Sequence, residues 1–150
     1  MVLEPDDPAP EISAPNQDGD TVGPDWTGVS VVYFYPKDDT RGCTVEANEF
    51  QAELDTYREA GVTVYGVSLD GVDSHAAFAD DQSLAFDLLA DPEADVAEAF
   101  DVEMDRGVTA RTTFVVVNWT VQAVYEGVDP SGHARNVLAD LVETGVVTLD

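Results

Sequence analysis

The one cysteine of this chain, Cys43, stands in the segment YPKDDTRGCT, residues 35–44, between an apolar run and a stretch with helical spacing. A thiol at or just inside a helix start lies against unpaired backbone N–H groups and the positive end of the macrodipole. Both favour the thiolate, which is the form that reacts. Thr40, three residues earlier, can turn its hydroxyl toward the same spot, and Pro36 opens the loop as a rigid apolar wall. Lys37 and Arg41 place two of the chain's six basic residues close to the sulfur. A nucleophile is one reading of Cys43; a small buried hydrophobe is the other. The loop before it holds no apolar residue except the proline, a poor setting for a core side chain. Asp38 and Asp39 read as solvated turn residues.

A single cysteine cannot form a disulfide within the chain, which fits a reducing compartment and excludes a dithiol oxidoreductase. His75 and His133 lie far apart without a ligand spacing and read as solvated or helix-end residues, so no metal site is expected. There is no Gly-rich phosphate loop, and no cofactor is expected. Trp26 and Trp119 read as packing residues, and the Asn118, Trp119, Thr120 sequon as chance.

The elements that must position Cys43 follow from periodicity. VSVVYFY, residues 29–35, is almost wholly β-branched or aromatic, which predicts a strand covered on both faces. TVEANEFQAELDTYREA carries Ala47, Phe50, Leu54 and Tyr57 at helical spacing before Gly61. VTVYGVSL, residues 62–69, is a second buried strand, and Asp73 or Ser74 can cap a short helix after it. A short extended piece is expected at 86–90, then a helix from Pro92 to about residue 100, then a charged loop at 101–110. TTFVVVN and TVQAVYEG, joined across Asn118 and Trp119, must pair antiparallel. Ser131 is placed to cap a last helix with Val137, Leu138, Leu141 and Val142 on one side. At the start, an extended arm runs to about Pro10 with little to bury, followed by a small hairpin around a turn at 16–19. The result is an α/β fold with helices on both faces of a mixed sheet, expected as a single domain over 1–150.

Charge limits the partners. Six basic against 31 acidic residues leaves −25, and Lys37 is the only lysine. Such a surface repels nucleic acid and anionic membranes. With 44% apolar and 9% aromatic residues the chain can still build a core, so the acids read as a hydrated surface rather than as disorder. A halophilic host is the natural expectation, because salt screens the self-repulsion. The start MVLEPDDPAP lacks the basic end and apolar centre of a signal peptide, and a cytoplasmic location is expected.

YFYPKDDTRGCTVEANEF resembles the active-site segment of the peroxiredoxins, in particular the bacterioferritin comigratory or Q-type subgroup, with Pro36, Thr40 and Cys43 at the motif positions. APEISAPNQDG, VYGVSLDGVDSHAAFA, LLADPEADVAEAF, RTTFVVV and GHARNVL resemble further segments in the same order. The resemblance implies a thioredoxin-like fold with an N-terminal β-hairpin extension, and a thiolate that attacks a hydroperoxide to give a sulfenic acid. It assigns the charge-stabilising arginine to Arg111, with Arg106 the nearby competitor. Many members of the subgroup carry a resolving cysteine five residues after the first; here that position is Asn48. Where the family often has proline this chain has Arg41, and the 101–110 loop is short for the subgroup. One-Cys chemistry is therefore expected, in which a thioredoxin-like protein or a low-molecular-weight thiol reduces the sulfenic acid. The expected substrates are neutral: hydrogen peroxide and small alkyl hydroperoxides. The alternatives are a peroxide sensor that passes oxidation to a partner protein and a binding module with an inert cysteine. A monomer and a homodimer both fit.

Overall fold

The computed structural model describes residues 2–148. Its N-terminal extension is the expected hairpin, β1 (Ala14–Pro15) against β2 (Thr21–Val22), closed by Asn16, whose Oδ1 accepts the amides of Asp18 and Asp20. The apolar runs then become the interior strands β3 (Val29–Phe34) and β4 (Val62–Ser68), paired in parallel. Between them run α1 (Arg41–Ala52) and α2 (Leu54–Glu59), a single helical stretch in the sequence that breaks at Glu53. The chain continues through α3 (Val72–Gln82), β5 (Asp87–Ala90) and α4 (Asp95–Ala99). It then forms β6 (Met104–Asp105), β7 (Val108–Thr109), β8 (Thr112–Val117), β9 (Thr120–Glu126) and α5 (His133–Glu143). The five-stranded sheet has the order β5-β4-β3-β8-β9, with β8 antiparallel to both its neighbours. This is the mixed sheet expected from the sequence.

Alternation along β3 divides the core. Val31 and Tyr33 face a cluster built with α1, α2, α3 and α5, while Val32 and Phe34 face one built with α4, Trp26 and the N-terminal extension. Each β3 residue therefore buries apolar area on one side or the other, at about 25 cal/mol per Å². Tyr33 stacks on Phe50 of α1 with ring centroids 4.5 Å apart, which ties the helix carrying Cys43 to the strand before it. Gly66 is required opposite this tyrosine, because a Cβ there would meet Leu88 Cδ2 at 2.9 Å and Tyr33 Oη at 3.0 Å.

Several boundaries differ from the sequence reading. Residues 101–110 are not a plain loop: β6 and β7 form a small hairpin whose turn, Arg106 and Gly107, has both residues at positive φ. Within residues 2–10, Ala9 is buried and Val2 and Leu3 pack against the core; Asp6 and Asp7 bond to Val121 of β9 and Ala9 to Trp119 just before it, and the Trp26 indole donates to Pro10 O at 2.8 Å. Neither Asp73 nor Ser74 caps α3, which starts after Gly71. Pro92 precedes α4 rather than opening it; Asp91 instead accepts the amides of Val96 and Ala97. Gly132, not Ser131, stands before α5, and the Glu49 carboxylate takes its amide. Val142 faces solvent while Ala134 joins the buried face of α5. Trp119 lies exposed in the β8–β9 turn at φ 64 and does not pack as Trp26 does. Among the described residues, no helix is long and apolar enough to cross a membrane.

Candidate active site

Thr40 is the N-cap residue of α1, which makes Cys43 the third residue of the helix. The Thr40 side chain does not cap; its hydroxyl donates to Lys37 O at 2.9 Å. The amides of the first turn therefore remain as donors for an anion beside the sulfur. What the Thr40 hydroxyl has left to offer is a lone pair, so it can accept from a hydroperoxide O–H rather than donate to it. Cys43 itself is 1% exposed. On the loop before it Thr40 is exposed and Pro36 half-buried.

Arg111 enters from the start of β8, the strand paired to β3 on the side away from β4. Its Nη2 lies 3.6 Å from Cys43 Sγ and its Nη1 2.9 Å from Glu46 Oε1. Cys43 and Glu46 are three residues apart on one face of α1, so a single guanidinium spans both. Gly42 makes this approach possible: a Cβ there would stand 3.0 Å from Arg111 Nη2. Of the four residues singled out from the sequence, Cys43 and Arg111 are in contact, Thr40 is the N-cap of the helix that carries Cys43, and Pro36 lies on the loop before it. Arg106 sits in the exposed turn between β6 and β7, as a solvated charge does. Lys37 and Arg41 are exposed and, among the described residues, make no ion pair.

The Cys43 sulfur faces an arginine at a helix start on this fold, and residues 5–124 match the AhpC/TSA family. The chain belongs to the peroxiredoxins. It is 38% identical over 119 residues to Peroxiredoxin Bcp of Xanthomonas campestris pv. campestris, covering 74% of each chain. It is 35% identical to Peroxiredoxin Bcp of Escherichia coli K12 over 94% of this chain and 97% of that one. Among solved structures, a cysteine-to-serine mutant of Xylella fastidiosa PrxQ superposes with a TM-score of 0.89 at 28% identity, covering 97% and 98% of the two chains. The Xanthomonas campestris bacterioferritin comigratory protein, studied for alkyl peroxide reduction, superposes at 0.83 with 32% identity and 90% and 92% coverage. The chain is thus a Bcp/PrxQ-type peroxiredoxin, a thiol-dependent peroxide reductase with the thioredoxin-like fold. Its single cysteine fits the one-Cys form.

Four residues around the peroxiredoxin site differ from the sequence reading or have no signal in it. Asp38 and His75 are buried and bonded to each other, not solvated. Glu46 is fully buried beside Arg111, although nothing sets it apart from the other glutamates in sequence. His133 is also buried, with Nε2 2.8 Å from Thr113 Oγ1. Burial pushes the Glu46 carboxyl up to about 7 against the pull of Arg111, and the Glu49 charge adds to the rise. Its Oε2 has no hydrogen-bond partner among the described residues, which also disfavours the charge. Burial and the Arg111 charge lower His133 to about 4.

These two shifts have opposite consequences for stability. The folded chain keeps a proton on Glu46 that the unfolded chain releases, so this contribution is full below about 4.5 and is lost as pH rises through about 7. For His133 the contribution is full above about 6.5 and is lost as pH falls toward about 4. Glu46→Gln removes only the first. The variant's Tm relative to wild type is expected to climb steadily as pH rises from about 4.5 to 7, in paired thermal melts. A difference that stays flat across that window contradicts a raised Glu46.

Proposed function

We propose that Cys43 is the peroxidatic residue and that this peroxiredoxin reduces hydrogen peroxide and small alkyl hydroperoxides by a one-Cys cycle. The observation that carries the reading is the Cys43 Sγ at the third position of α1 with Arg111 Nη2 3.6 Å away. The thiolate attacks the terminal oxygen; an S–O bond forms, the O–O bond breaks, and the departing oxygen leaves as water or an alcohol after taking a proton. Negative charge moves from sulfur to that oxygen, so fixed donors beside both stabilise the transition state more than the ground state. Arg111 and the first-turn amides supply those donors, and Thr40 orients the hydroperoxide by accepting its O–H. The sulfenic acid then condenses with an external thiol to a mixed disulfide and water, and a second thiol releases Cys43. Asn48, at the place of the family's frequent second cysteine, is exposed and bonded to Gln82, so it offers no sulfur for an internal disulfide.

Access and charge both favour a small neutral oxidant. A cysteine that is 1% exposed admits a molecule near the size of water more readily than a bulky one. A surface of −25 repels anionic hydroperoxides at low ionic strength. At about 1 M salt the screening length falls to about 3 Å, so distant carboxylates fade while the contacting Arg111 does not. The acidic surface supports a host rich in salt and, with the reducing conditions a lone thiol needs, the cytoplasm.

The test is peroxide consumption with a small dithiol as reductant across a salt series. Sustained turnover that holds or rises with salt is expected. Consumption of one equivalent followed by arrest in excess dithiol contradicts the enzyme reading and favours a sensor. A rate that collapses with salt while the chain stays folded contradicts the electrostatic argument.

A further inference from the structure

The loop at 36–40 rests on a buried polar cluster that the peroxide chemistry above does not use. Asp38 Oδ2 meets His75 Nδ1 at 2.6 Å, with both residues buried. His75 Nε2 faces Leu89 O at 3.0 Å on β5. A carbonyl only accepts, so Nε2 carries the hydrogen of that bond, and Nδ1 is left facing the Asp38 carboxyl. Asp38 accepts two further bonds, from the Tyr35 hydroxyl at 2.6 Å and the Ser74 hydroxyl at 2.8 Å. Its own amide donates to Asp70 Oδ2 at 2.8 Å, and Asp70 in turn is held by the Ser68 hydroxyl at 2.6 Å. Burial alone raises the Asp38 carboxyl; the His75 bond and charge, with Tyr35 and Ser74, outweigh it and hold Asp38 below its ordinary value. The ends of β3, β4 and β5 and the first turn of α3 thus converge on one loop carboxylate.

The residue after this carboxylate explains why an anchor is needed. Asp39 has φ 64, a left-handed conformation that keeps its place only when its surroundings hold it. Its turn leads directly into Thr40 and the start of α1, and Lys37, Asp39 and Thr40 are all exposed. Asp38 is the buried point among them.

We propose that Asp38 and His75, seconded by Asp70, are positioning residues for the peroxide reaction: they clamp the loop so that Pro36 and Thr40 stand fixed beside Cys43 before the oxidant arrives. The proposal rests on Cys43 being the peroxidatic residue. It predicts a split between two reactions of the same sulfur. Attack on hydrogen peroxide needs the loop groups aligned, whereas alkylation by iodoacetamide needs only a thiolate and access.

The experiment measures both second-order rates in reduced wild type, His75→Gln, Asp38→Asn, the double variant and Asp70→Ala. The peroxide rate is expected to fall at least about ten-fold in His75→Gln and Asp38→Asn while alkylation stays within about three-fold. The double variant should be no slower than the worse single, because both act through one clamp. Asp70→Ala, a change at a half-buried position, should show the same split in smaller measure, and it decides the matter where the buried substitutions do not fold. Equal falls in the two reactions, or a wild-type peroxide rate in folded variants, would overturn the clamp. A wild-type chain inert to peroxide defeats the Cys43 assignment instead, so the two failures are distinguishable.

Discussion

Cys43→Ser is expected to leave no measurable thiol-dependent peroxide reduction while keeping the fold. Serine replaces one atom in a helix that Ala47 and Phe50 already pack into the core, so the site survives the change. A hydroxyl is not ionised by the same surroundings and is a far weaker nucleophile than a thiolate. With no second cysteine in the chain, no other sulfur can take over. Peroxide consumption in the presence of a dithiol measures this directly, with Tm as the control for folding. Activity persisting at the wild-type rate in the serine variant removes Cys43 from the chemistry.

Arg111→Ala is expected to lower the peroxide rate by about 10²-fold or more, the usual scale for losing a donor aimed at developing charge. The substitution does two things at once. It removes the guanidinium 3.6 Å from the sulfur, and it strips the Glu46 carboxyl of its only hydrogen-bonded partner among the described residues. Breaking a buried pair from one side costs about 3–5 kcal/mol where the remaining charge stays buried. Glu46 can escape much of that by holding its proton, so the stability loss should be smaller in acid than above about pH 7. Adding Glu46→Gln to Arg111→Ala separates the effects: stability should return and activity should not. Recovery of both in the double variant would mean that Arg111 acts only by satisfying Glu46. Arg111→Lys should remain slow, because an ammonium cannot reach Sγ and Oε1 together as the planar fork does.

The parts of the site visible in sequence were those with local causes. Pro36, Thr40 and Cys43 sit within one turn of a strand-to-helix junction, and both flanking elements announce themselves by periodicity. The same holds for the β8–β9 pair, forced antiparallel by its two-residue link. Arg111 came from a family resemblance, since no spacing rule connects it to a cysteine 68 positions earlier. Asp38 and His75 were hidden by composition: in a chain with 31 acids, one more aspartate in a turn looks like surface. Only the pairing of β3 with β4 and the seat of α3 bring the two together across 37 residues. Glu46 shows the same limit from the other side, being one of several helix glutamates until β8 delivers the arginine. The seat of the N-terminal arm has no trace in the side-chain pattern because most of its bonds run backbone to backbone, to Phe100, Trp119 and Val121.

The measurement that bears most directly on the account is a single-turnover oxidation. Reduced protein is mixed with one equivalent of hydrogen peroxide, quenched, and mapped by peptide mass before any thiol is added. One oxygen atom is expected to be added, on the peptide containing Cys43 alone, and removed again when dithiol follows. A Cys43 that stays an unmodified thiol while the peroxide remains in solution would contradict it.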